Sequence, residues 1–236
     1  MIRIGCAGWS IAAGDADLFE AGESALARYA TRFDMAEINS SFYKPHRATT
    51  YARWADTVPA GFRFSVKLPK AITHEARLVG CGPALDTFFD AAGALGDRLG
   101  CVLVQLPPSL AFDARIASTF FAMLGRRWQG PVACETRHAS WLKPRAEAIL
   151  RRREVARVAA DPARHGDDAV PGGHPGFAYW RWHGAPKIYY SDYPPAALDT
   201  IADAVAAGPS DAWVVFDNTA GGHAVSNAAG LQTRIG

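Results

Sequence analysis

Seven ionisable residues stand at or next to the carboxyl ends of short apolar runs, where they could take part in proton-transfer chemistry. Two of them lie in the hexapeptide YWRWHG at residues 179–184, in which Arg181 and His183 alternate with Trp180 and Trp182. Side chains on a strand point to opposite faces in turn, so this alternation predicts a strand with one apolar face and one polar face. The seven candidate catalytic residues are Glu37, Lys67, Glu135, Asp161, Arg181, His183 and Asp217.

These residue types are suited to acid–base catalysis of the hydrolase or isomerase kind. Two carboxylates on different strands, such as Glu37 and Glu135, could take opposite roles, one donating a proton and the other accepting it. Lys67 could serve as a proton carrier, an electrophile or a Schiff-base nucleophile. The structural alternative is a ring of ion pairs in which Lys67 and Arg181 neutralise the carboxylates, because buried charges are costly unless they are paired.

A divalent metal is an alternative cofactor for the same residues. Glu135, Asp161, His183 and Asp217 end consecutive apolar runs, and oxygen and imidazole ligands suit Mn, Mg or Zn. Such a site would resemble those of metal-dependent sugar isomerase and endonuclease barrels, by analogy of fold alone. Two cationic side chains nearby would repel a metal ion, and no compact motif such as H-E-x-x-H is present. We therefore do not assign a metal from the sequence.

A second set of residues, polar and aromatic, is expected to bind the substrate around the same mouth. Basic and aromatic loop residues predict a polar or anionic partner, either a phosphate-bearing small molecule or a nucleic-acid end. A glycine pair, Gly221 and Gly222, precedes a helix expected to begin near residue 226, and helix starts of this kind can bind phosphate. A nucleic-acid or metabolite binding module without catalysis would use the same residues. The candidate binding residues are Trp9, Asn39, Tyr43, Gln105, Arg137, His138, Tyr190, Asn218 and Gly221.

The elements that must position these residues are eight apolar runs that alternate with helical patterns. This alternation predicts a single (β/α)8 TIM-type barrel over residues 1–236. The segment after the sixth run, DPARHGDDAVPGGHPG, is rich in Gly and Pro, so we expect a loop in place of a helix there. The predicted strands are Ile2–Cys6, Met35–Ile38, Phe62–Leu68, Cys101–Leu106, Val132–Glu135, Val155–Ala160, Phe177–His183 and Trp213–Asp217.

The parity of the third run assigns its two faces. Phe62, Phe64 and Val66 share one face, which we expect under the helices, while Ser65 and Lys67 share the other. In such barrels the active site lies at the carboxyl ends of the strands. The same reasoning assigns the polar residues of the other runs, including Asp161 at the end of the sixth, to one shared lumen.

Composition narrows the classes of protein that fit. The chain is 49% hydrophobic and 20% charged with a net charge of +2, which does not fit a strongly basic protein that coats nucleic acid. The four cysteines show no C-x-x-C spacing and are expected to be buried, reduced thiols, which predicts a cytoplasmic protein. No apolar window long enough to cross a membrane and no signal peptide are apparent. Composition does not determine the oligomeric state.

Eight sequence blocks, spread in order over the chain, carry a family resemblance: GCAGWS, AEINSSFYKPH, TYARWADTVPAGFRFSVKLPKAITHEARL, GCVLVQLPPSLAFD, ACETRHASW, AADP, YWRWHG with KIYYSDY, and VVFDNTAGG. Together they resemble the DUF72 family, also called the YecE-like family, over essentially the whole chain. The resemblance implies a TIM-type barrel, in agreement with the strand pattern, and it implies no established activity. After GWS many members continue with an aromatic-bearing stretch, whereas this chain has residues 11–14, IAAG.

Overall fold

The strands of the computed structural model form one sheet that closes into a barrel. The structure describes residues 1–166 and 169–236 in full and only the backbone at 167 and 168. The order of the strands in the sheet is β7-β9-β10-β1-β2-β3-β4-β5-β6-β8. In the described backbone the strands are β1 Ile2–Ala7, β2 Met35–Ile38, β3 Arg63–Lys67, β4 Leu99–Gln105, β5 Val132–Glu135, β6 Val155–Arg157, β7 Ala159–Asp161, β8 Gly172–Gly173, β9 Ala178–Trp182 and β10 Ala212–Phe216.

The barrel closes at the sixth strand position, which the chain fills with two short pieces. Strand β6 pairs in parallel with β5, whereas β7 pairs in parallel with β9, and Val158 alone separates the two pieces. The Val158 amide still donates to the Cys134 carbonyl oxygen at 3.0 Å. Strands β6 and β7 therefore act as one strand that joins both ends of the sheet, and the predicted (β/α)8 TIM-type barrel is confirmed.

Helices follow seven of the eight barrel positions in the described backbone. The exception is the sixth, where the chain from β7 to β9 forms a 3-10 turn at Gly166–Ala169 and the two-residue strand β8. The predicted replacement of this helix by a loop is therefore confirmed. Its physical reason is that Pro and Gly disfavour a helix there. The helices are α1 Ala25–Tyr29, α2 Ala48–Thr57, α3 Gly82–Ala92, α4 Ala114–Gly125, α5 Pro144–Arg152, α6 Pro195–Ala206 and α7 Ala224–Ile235.

Side-chain caps and prolines explain where several helices begin. The Ser24 hydroxyl accepts from the Ala27 amide at the start of α1, and the Asp113 carboxylate accepts from two amides at the start of α4. Helix α5 opens with Pro144 and α6 with Pro195, whose missing amide hydrogens cost nothing in the first turn. The described helices include none that is long and apolar enough to cross a membrane.

The apolar residues divide into an outer core beneath the helices and an inner core inside the barrel. Phe64, Val66 and Trp180 belong to the outer core, as the strand parity predicts. Trp182 packs against the same core, its ring stacked on that of Trp180 with centroids 5.7 Å apart. The inner core contains Met35, Cys101, Leu103, Ala133, Ala156, Val158, Phe177, Tyr179, Trp213 and Val215, with Ala7. These side chains leave the carboxyl end of the lumen to polar residues.

Candidate functional site

A fully buried arginine lies at the centre of the polar lumen. Arg181 on β9 donates from Nε and Nη2 to the two carboxylate oxygens of Glu37, at 3.0 and 2.7 Å. Its Nη1 donates to Glu135 at 2.6 Å, and Nη2 also donates to Asp217 at 2.9 Å. Three carboxylates from three separate strand ends thus satisfy one guanidinium group, which offsets the cost of burying these charges.

The carboxylates of this ring have further polar partners. Gln105 donates to Glu135 at 2.8 Å, and Arg137 donates to the other oxygen of Glu135 at 2.8 Å. Tyr179 places its hydroxyl 3.0 Å from Glu37, which is itself fully buried. Burial would raise the pKa of Glu135, but the charges of Arg181 and Arg137 hold that pKa well below its usual 4.5. Glu135 is therefore ionised at neutral pH and is not placed to donate a proton to a substrate.

His183 and Asp217 form a hydrogen-bonded pair beside the arginine. The Nδ1 atom of His183 lies 2.9 Å from an Asp217 carboxylate oxygen. Burial would raise the pKa of Asp217, but Arg181 and His183 lower it below 3.8, so the carboxylate is ionised and accepts the Nδ1 proton. Burial and Arg181 oppose protonation of His183, yet Glu135 and Asp217 outweigh them and raise its pKa above 6.5.

The second ring nitrogen of His183 is left for chemistry. Its Nε2 atom has no hydrogen-bond partner among the described atoms and lies 3.4 Å from the nearest Glu135 oxygen. His183 lines a cavity of about 30 Å³ together with Glu135, Thr136, Arg137, Ala160, Pro162, Arg164, Ile188 and Tyr189. An imidazole that is oriented through Nδ1 and has no hydrogen bond at Nε2 can exchange a proton with a water molecule or substrate group that reaches that cavity.

Lys67 sits in the same lumen but does not take part in the ion pairs. Its Nζ atom donates to the Asn39 side-chain oxygen at 2.9 Å and lies 4.4 Å from the centre of the Phe42 ring. No carboxylate oxygen of the described side chains is within 4 Å of it, so the alternative of an ion pair with Glu37 or Glu135 is wrong. Burial and the Arg181 charge lower the pKa of Lys67 to about 8, against the attraction of the carboxylates.

Asp161 lies outside the lumen, which corrects its predicted position. Ala156 and Val158 face the inner core, so alternation along the strand directs Ala160 inward and Asp161 outward. The register agrees, because Asp161 pairs with the outward-facing Trp182. Its carboxylate accepts a hydrogen bond from the Tyr193 hydroxyl at 2.5 Å.

The lumen does not fit the metal alternative. Among the described residues, no three His, Cys, Asp or Glu side chains are grouped so that they could hold a metal ion. Asp161, one of the four proposed ligands, lies outside the lumen, and the carboxylates of Glu135 and Asp217 bind Arg181. A metal ion would have to displace a guanidinium group that already binds Glu37, Glu135 and Asp217.

Four of the predicted binding residues hold loops or pack in the core. Trp9 packs edge-on against Trp54, with ring centroids 5.1 Å apart, on the outer side of the barrel. His138 caps the 3-10 turn at Ala139–Leu142. Asn218 donates to the Asn227 side chain at 2.7 Å, and the Gly221 amide donates to the Tyr189 carbonyl oxygen at 3.0 Å. These contacts indicate positions that support the mouth.

The other predicted binding residues lie in the lumen or on exposed loops. Asn39, Gln105 and Arg137 bind Lys67 or Glu135 directly. Tyr43 and Tyr190 are exposed, at 72% and 49% of their surfaces. Tyr43 meets Phe42 edge-on and Tyr190 has Lys187 over its ring, and the exposed parts of both rings can contact a bound molecule.

Two residues at the site, Tyr189 and Tyr179, are not among the predicted site residues. Tyr189 has a left-handed backbone with φ 71°, and its ring meets that of His183 edge-on at 5.7 Å. Tyr179 shares a strand face with Arg181 and contacts Glu37. Parity alone could have indicated Tyr179, whereas the turn that aims Tyr189 gave no signal in the sequence.

An eight-stranded β/α barrel with a buried arginine–carboxylate network and a histidine–aspartate pair at the carboxyl ends of its strands defines the structural class. The chain belongs to the DUF72 family, described as "Protein of unknown function DUF72", whose family model matches residues 3–236. This confirms the resemblance identified from the sequence blocks.

Curated relatives and solved structures agree with this assignment. The chain is 31% identical over 107 residues to UPF0759 protein YecE of Escherichia coli K12, covering 45% of this chain and 38% of YecE. It is 28% identical over 156 residues to UPF0759 protein YunF of Bacillus subtilis 168, covering 61% of this chain and 53% of YunF. The matches thus span well under two thirds of either relative.

Two crystal structures of DUF72 family proteins share the fold. The protein from Enterococcus faecalis V583 superposes with a TM-score of 0.81 at 21% identity, covering 100% of this chain and 95% of that one. The protein from Thermotoga maritima MSB8 superposes with a TM-score of 0.78 at 22% identity, covering 99% and 98% of the two chains. At these identities the likeness establishes the barrel alone.

Proposed function

We propose that this protein is an acid–base enzyme, of the hydrolase or isomerase type, that acts on a polar, anionic small molecule at the carboxyl end of the barrel. His183 is the group that transfers the proton. The observation that carries this proposal is the state of its two nitrogens: Nδ1 is held by Asp217, while Nε2 is buried without a hydrogen bond, 3.4 Å from Glu135, in a residue that lines a cavity. This arrangement matches a catalytic imidazole held by an orienting carboxylate.

The charges around the cavity favour an anionic substrate. Arg137 and Arg164 line the cavity beside His183, and Lys67 lies in the same lumen. Arg137 contacts a single oxygen of Glu135 through Nε at 2.8 Å and Nη2 at 2.7 Å, and guanidinium groups bind carboxylate and phosphate with matched geometry. These charges support a more specific proposal for the substrate, namely a phosphate-bearing molecule or a nucleic-acid end.

Binding without catalysis is the second candidate, and the exposed loop aromatics favour it. Tyr190 is half exposed, with Lys187 Nζ 4.2 Å from its ring centre, which suits a base or sugar together with a phosphate. Fluorescence anisotropy with a labelled single-stranded oligonucleotide would test it. Tight binding that Tyr190→Ala weakens about tenfold would support a binding module, and no binding by the wild type would reject it.

The proposed catalytic role predicts that His183→Gln abolishes turnover. Chromogenic phosphomonoesters and phosphodiesters and a set of sugar phosphates would be assayed with the wild type and the variant. Loss of a general acid–base group should lower the rate by about 10²–10⁴-fold. Because the pKa of His183 is raised above 6.5, a wild-type rate that needs the neutral imidazole should fall on the acid side with a midpoint above that value.

The matched control is His174→Gln, at the opposite end of the barrel. The His174 amide bonds to Val155 at the start of β6, so its side chain is remote from the strand ends that carry the site. This variant should keep the wild-type rate. Equal rates for His183→Gln and the wild type, or no turnover of any compound by the wild type, would contradict the proposed function.

A further inference from the structure

We propose that Lys67 is a Schiff-base lysine whose amine condenses with the carbonyl carbon of a small aldehyde or ketone bearing a carboxylate or phosphate group. The inference deepens the proposed function and rests on it, because it specifies the substrate class for the acid–base chemistry of His183. It assigns a covalent role to a side chain that the proton transfer at His183 does not use.

The first support is that the carboxylates of the lumen are paired with Arg181 and not with Lys67. Arg181 binds all three carboxylates of the ring, so none is left within 4 Å of Lys67 among the described side chains. Lys67 is only 5% exposed, yet its one hydrogen-bond acceptor is the neutral amide oxygen of Asn39. Buried lysines that serve structure are normally paired with an acid. This lysine is held in place without being neutralised.

The second support is the position of the amine. Lys67 ends β3, at the carboxyl end of the barrel where the fold concentrates its chemistry. Its Nζ atom lies over the face of Phe42, and the ring of His74 meets Phe42 edge-on with centroids 4.9 Å apart. An apolar wall and a neighbouring guanidinium group are the two surroundings that turn a lysine into a nucleophile.

The lowered pKa makes the neutral amine available at physiological pH. With a pKa of about 8, about 10% of Lys67 is unprotonated at pH 7, against about 0.03% of an ordinary lysine. The nucleophilic form is therefore about 300-fold more abundant than on an exposed lysine. The intrinsic reactivity of the amine falls with its pKa, so a gain of at least about tenfold in condensation is expected.

The condensation is balanced without any further reactant. The lone pair of the neutral amine forms a bond to the carbonyl carbon, and the carbonyl π electrons move to oxygen, which takes up a proton from nitrogen. The carbinolamine then loses its hydroxyl group as water, using the proton that Lys67 released when it became neutral. The product is a protonated imine, so an ammonium group and a carbonyl yield an iminium group and water. Arg137 is the side chain suited to pair with the anionic group of the substrate.

Reductive trapping with glyoxylate tests the inference. Glyoxylate is a small aldehyde with a carboxylate, and sodium cyanoborohydride fixes its imine as a carboxymethyl group on the amine. The wild-type protein would be treated at pH 7, digested and mapped by mass spectrometry. We expect Lys67 to be labelled at least about tenfold faster than the exposed Lys70. The uncharged aldehyde glycolaldehyde should label Lys67 more slowly than glyoxylate.

Matched variants separate Lys67 from the surface lysines. Lys67→Arg keeps the charge but cannot form an imine, so the fast labelling should disappear while the urea unfolding midpoint shows that the variant is folded. Lys70→Arg should leave the labelling of Lys67 unchanged. Labelling spread evenly over exposed lysines, or equal labelling of Lys67 and Lys70, would overturn the inference.

The same assay distinguishes failure of this inference from failure of the proposed function. Trapping needs no turnover, so His183→Gln should still form the adduct at Lys67. An adduct at Lys67 combined with unaffected turnover in His183→Gln would refute the proposed role of His183 alone. Loss of turnover in His183→Gln without any preferred adduct at Lys67 would refute the Schiff base alone.

Discussion

Arg181 and Lys67 are both cations at the carboxyl end of the barrel, but their surroundings give them different roles. Arg181 has five donors in a planar fork, and its three nitrogens make four hydrogen bonds to carboxylates from three strand ends. Lys67 has one neutral acceptor and an aromatic face. Arg181 therefore stabilises the three buried carboxylates. The positive charge of Lys67, by contrast, lowers the stability of the folded protein.

This difference predicts that Lys67→Met stabilises the protein at pH 7. The pKa of Lys67 is about 8 in the folded chain against 10.5 for a free lysine, which corresponds to a cost of at most about 3 kcal/mol. Losing the hydrogen bond to Asn39 offsets part of this, so a gain of about 1–2 kcal/mol in the free energy of unfolding is expected. Urea unfolding at pH 7 measures it.

The pH dependence of the free energy of unfolding tests whether the Lys67 charge causes this effect. Between pH 8 and 10.5 the unfolded chain binds more protons at Lys67 than the folded chain does, so wild-type stability rises with pH there. The advantage of Lys67→Met should therefore shrink by pH 10. Lys70→Met, at an exposed ion pair with Glu75, should change stability by less than about 0.5 kcal/mol. A Lys67→Met protein less stable than the wild type at pH 7 would show that the lysine is structural.

At the scale of elements, strands β1 and β2 are joined by a tyrosine as well as by their own backbones. Their register covers only Cys6 with Ala36 and Ala7 with Glu37, at the carboxyl end. Below that point the hydroxyl of Tyr29, the last residue of α1, accepts from the Cys6 amide at 2.8 Å and donates to the Met35 carbonyl at 3.0 Å. The Tyr29 side chain thus links β1 to β2, and β2 is the strand that carries Glu37.

Tyr29→Phe should therefore destabilise the barrel despite preserving the buried ring. The change leaves a strand amide and a strand carbonyl without partners in a fully buried position, at a cost of about 1–3 kcal/mol. The urea midpoint and hydrogen exchange at the Cys6 amide measure the effect. Tyr43→Phe removes a hydroxyl from a side chain that is mostly exposed and should be neutral to within about 0.5 kcal/mol. Equal midpoints for the two variants would rule out the bridging role of Tyr29.

At the scale of the whole molecule, the charged network joins distant parts of the barrel wall. Arg181 on β9 connects to Glu37 on β2 and Glu135 on β5, which lie on other sides of the lumen. Asp217 follows β10 and binds both Arg181 and His183. Closure of the sheet and neutralisation of the lumen are therefore coupled, because each ion pair requires strands that the closed barrel brings together.

The network predicts a loss of stability in acid. The pKa of Glu135 and that of Asp217 are lowered on folding, so their contribution is complete above about pH 4.5 and is lost as the pH falls through their folded values. The free energy of unfolding should drop steeply from pH 5 to pH 3 in urea titrations. Glu135→Gln should show a shallower drop over the same range. An unchanged slope in that variant would mean that the buried carboxylate does not control acid stability.

The contribution of His183 to the free energy of unfolding has the opposite pH dependence. Its pKa is raised on folding, so its contribution is present below about pH 6.5 and is lost as the pH rises through the higher folded value. The carboxylates and the histidine together place the most favourable pH for the network between these two regions.

The sequence by itself determined the number, order and facing of the barrel elements. Apolar runs separated by helical patterns defined the strands, and the alternation of Trp180, Arg181, Trp182 and His183 assigned faces that the structure confirms. Facing follows from a local property, since successive side chains on any strand point to opposite sides. Asp161, which was predicted to face the lumen, follows the same rule, because strict alternation from Val158 directs it outward.

Only the tertiary structure decided which charges meet. Arg181 could have bound any of the carboxylates, and Lys67 could have bound one of them, but the structure gives all three to Arg181 and leaves Lys67 with Asn39. Tyr189 at the mouth and Trp9 on the outer side of the barrel were likewise placed by loop packing. Ion pairing depends on distances across the lumen, which are set by the stagger and closure of strands far apart in the chain, and no local sequence pattern encodes those distances.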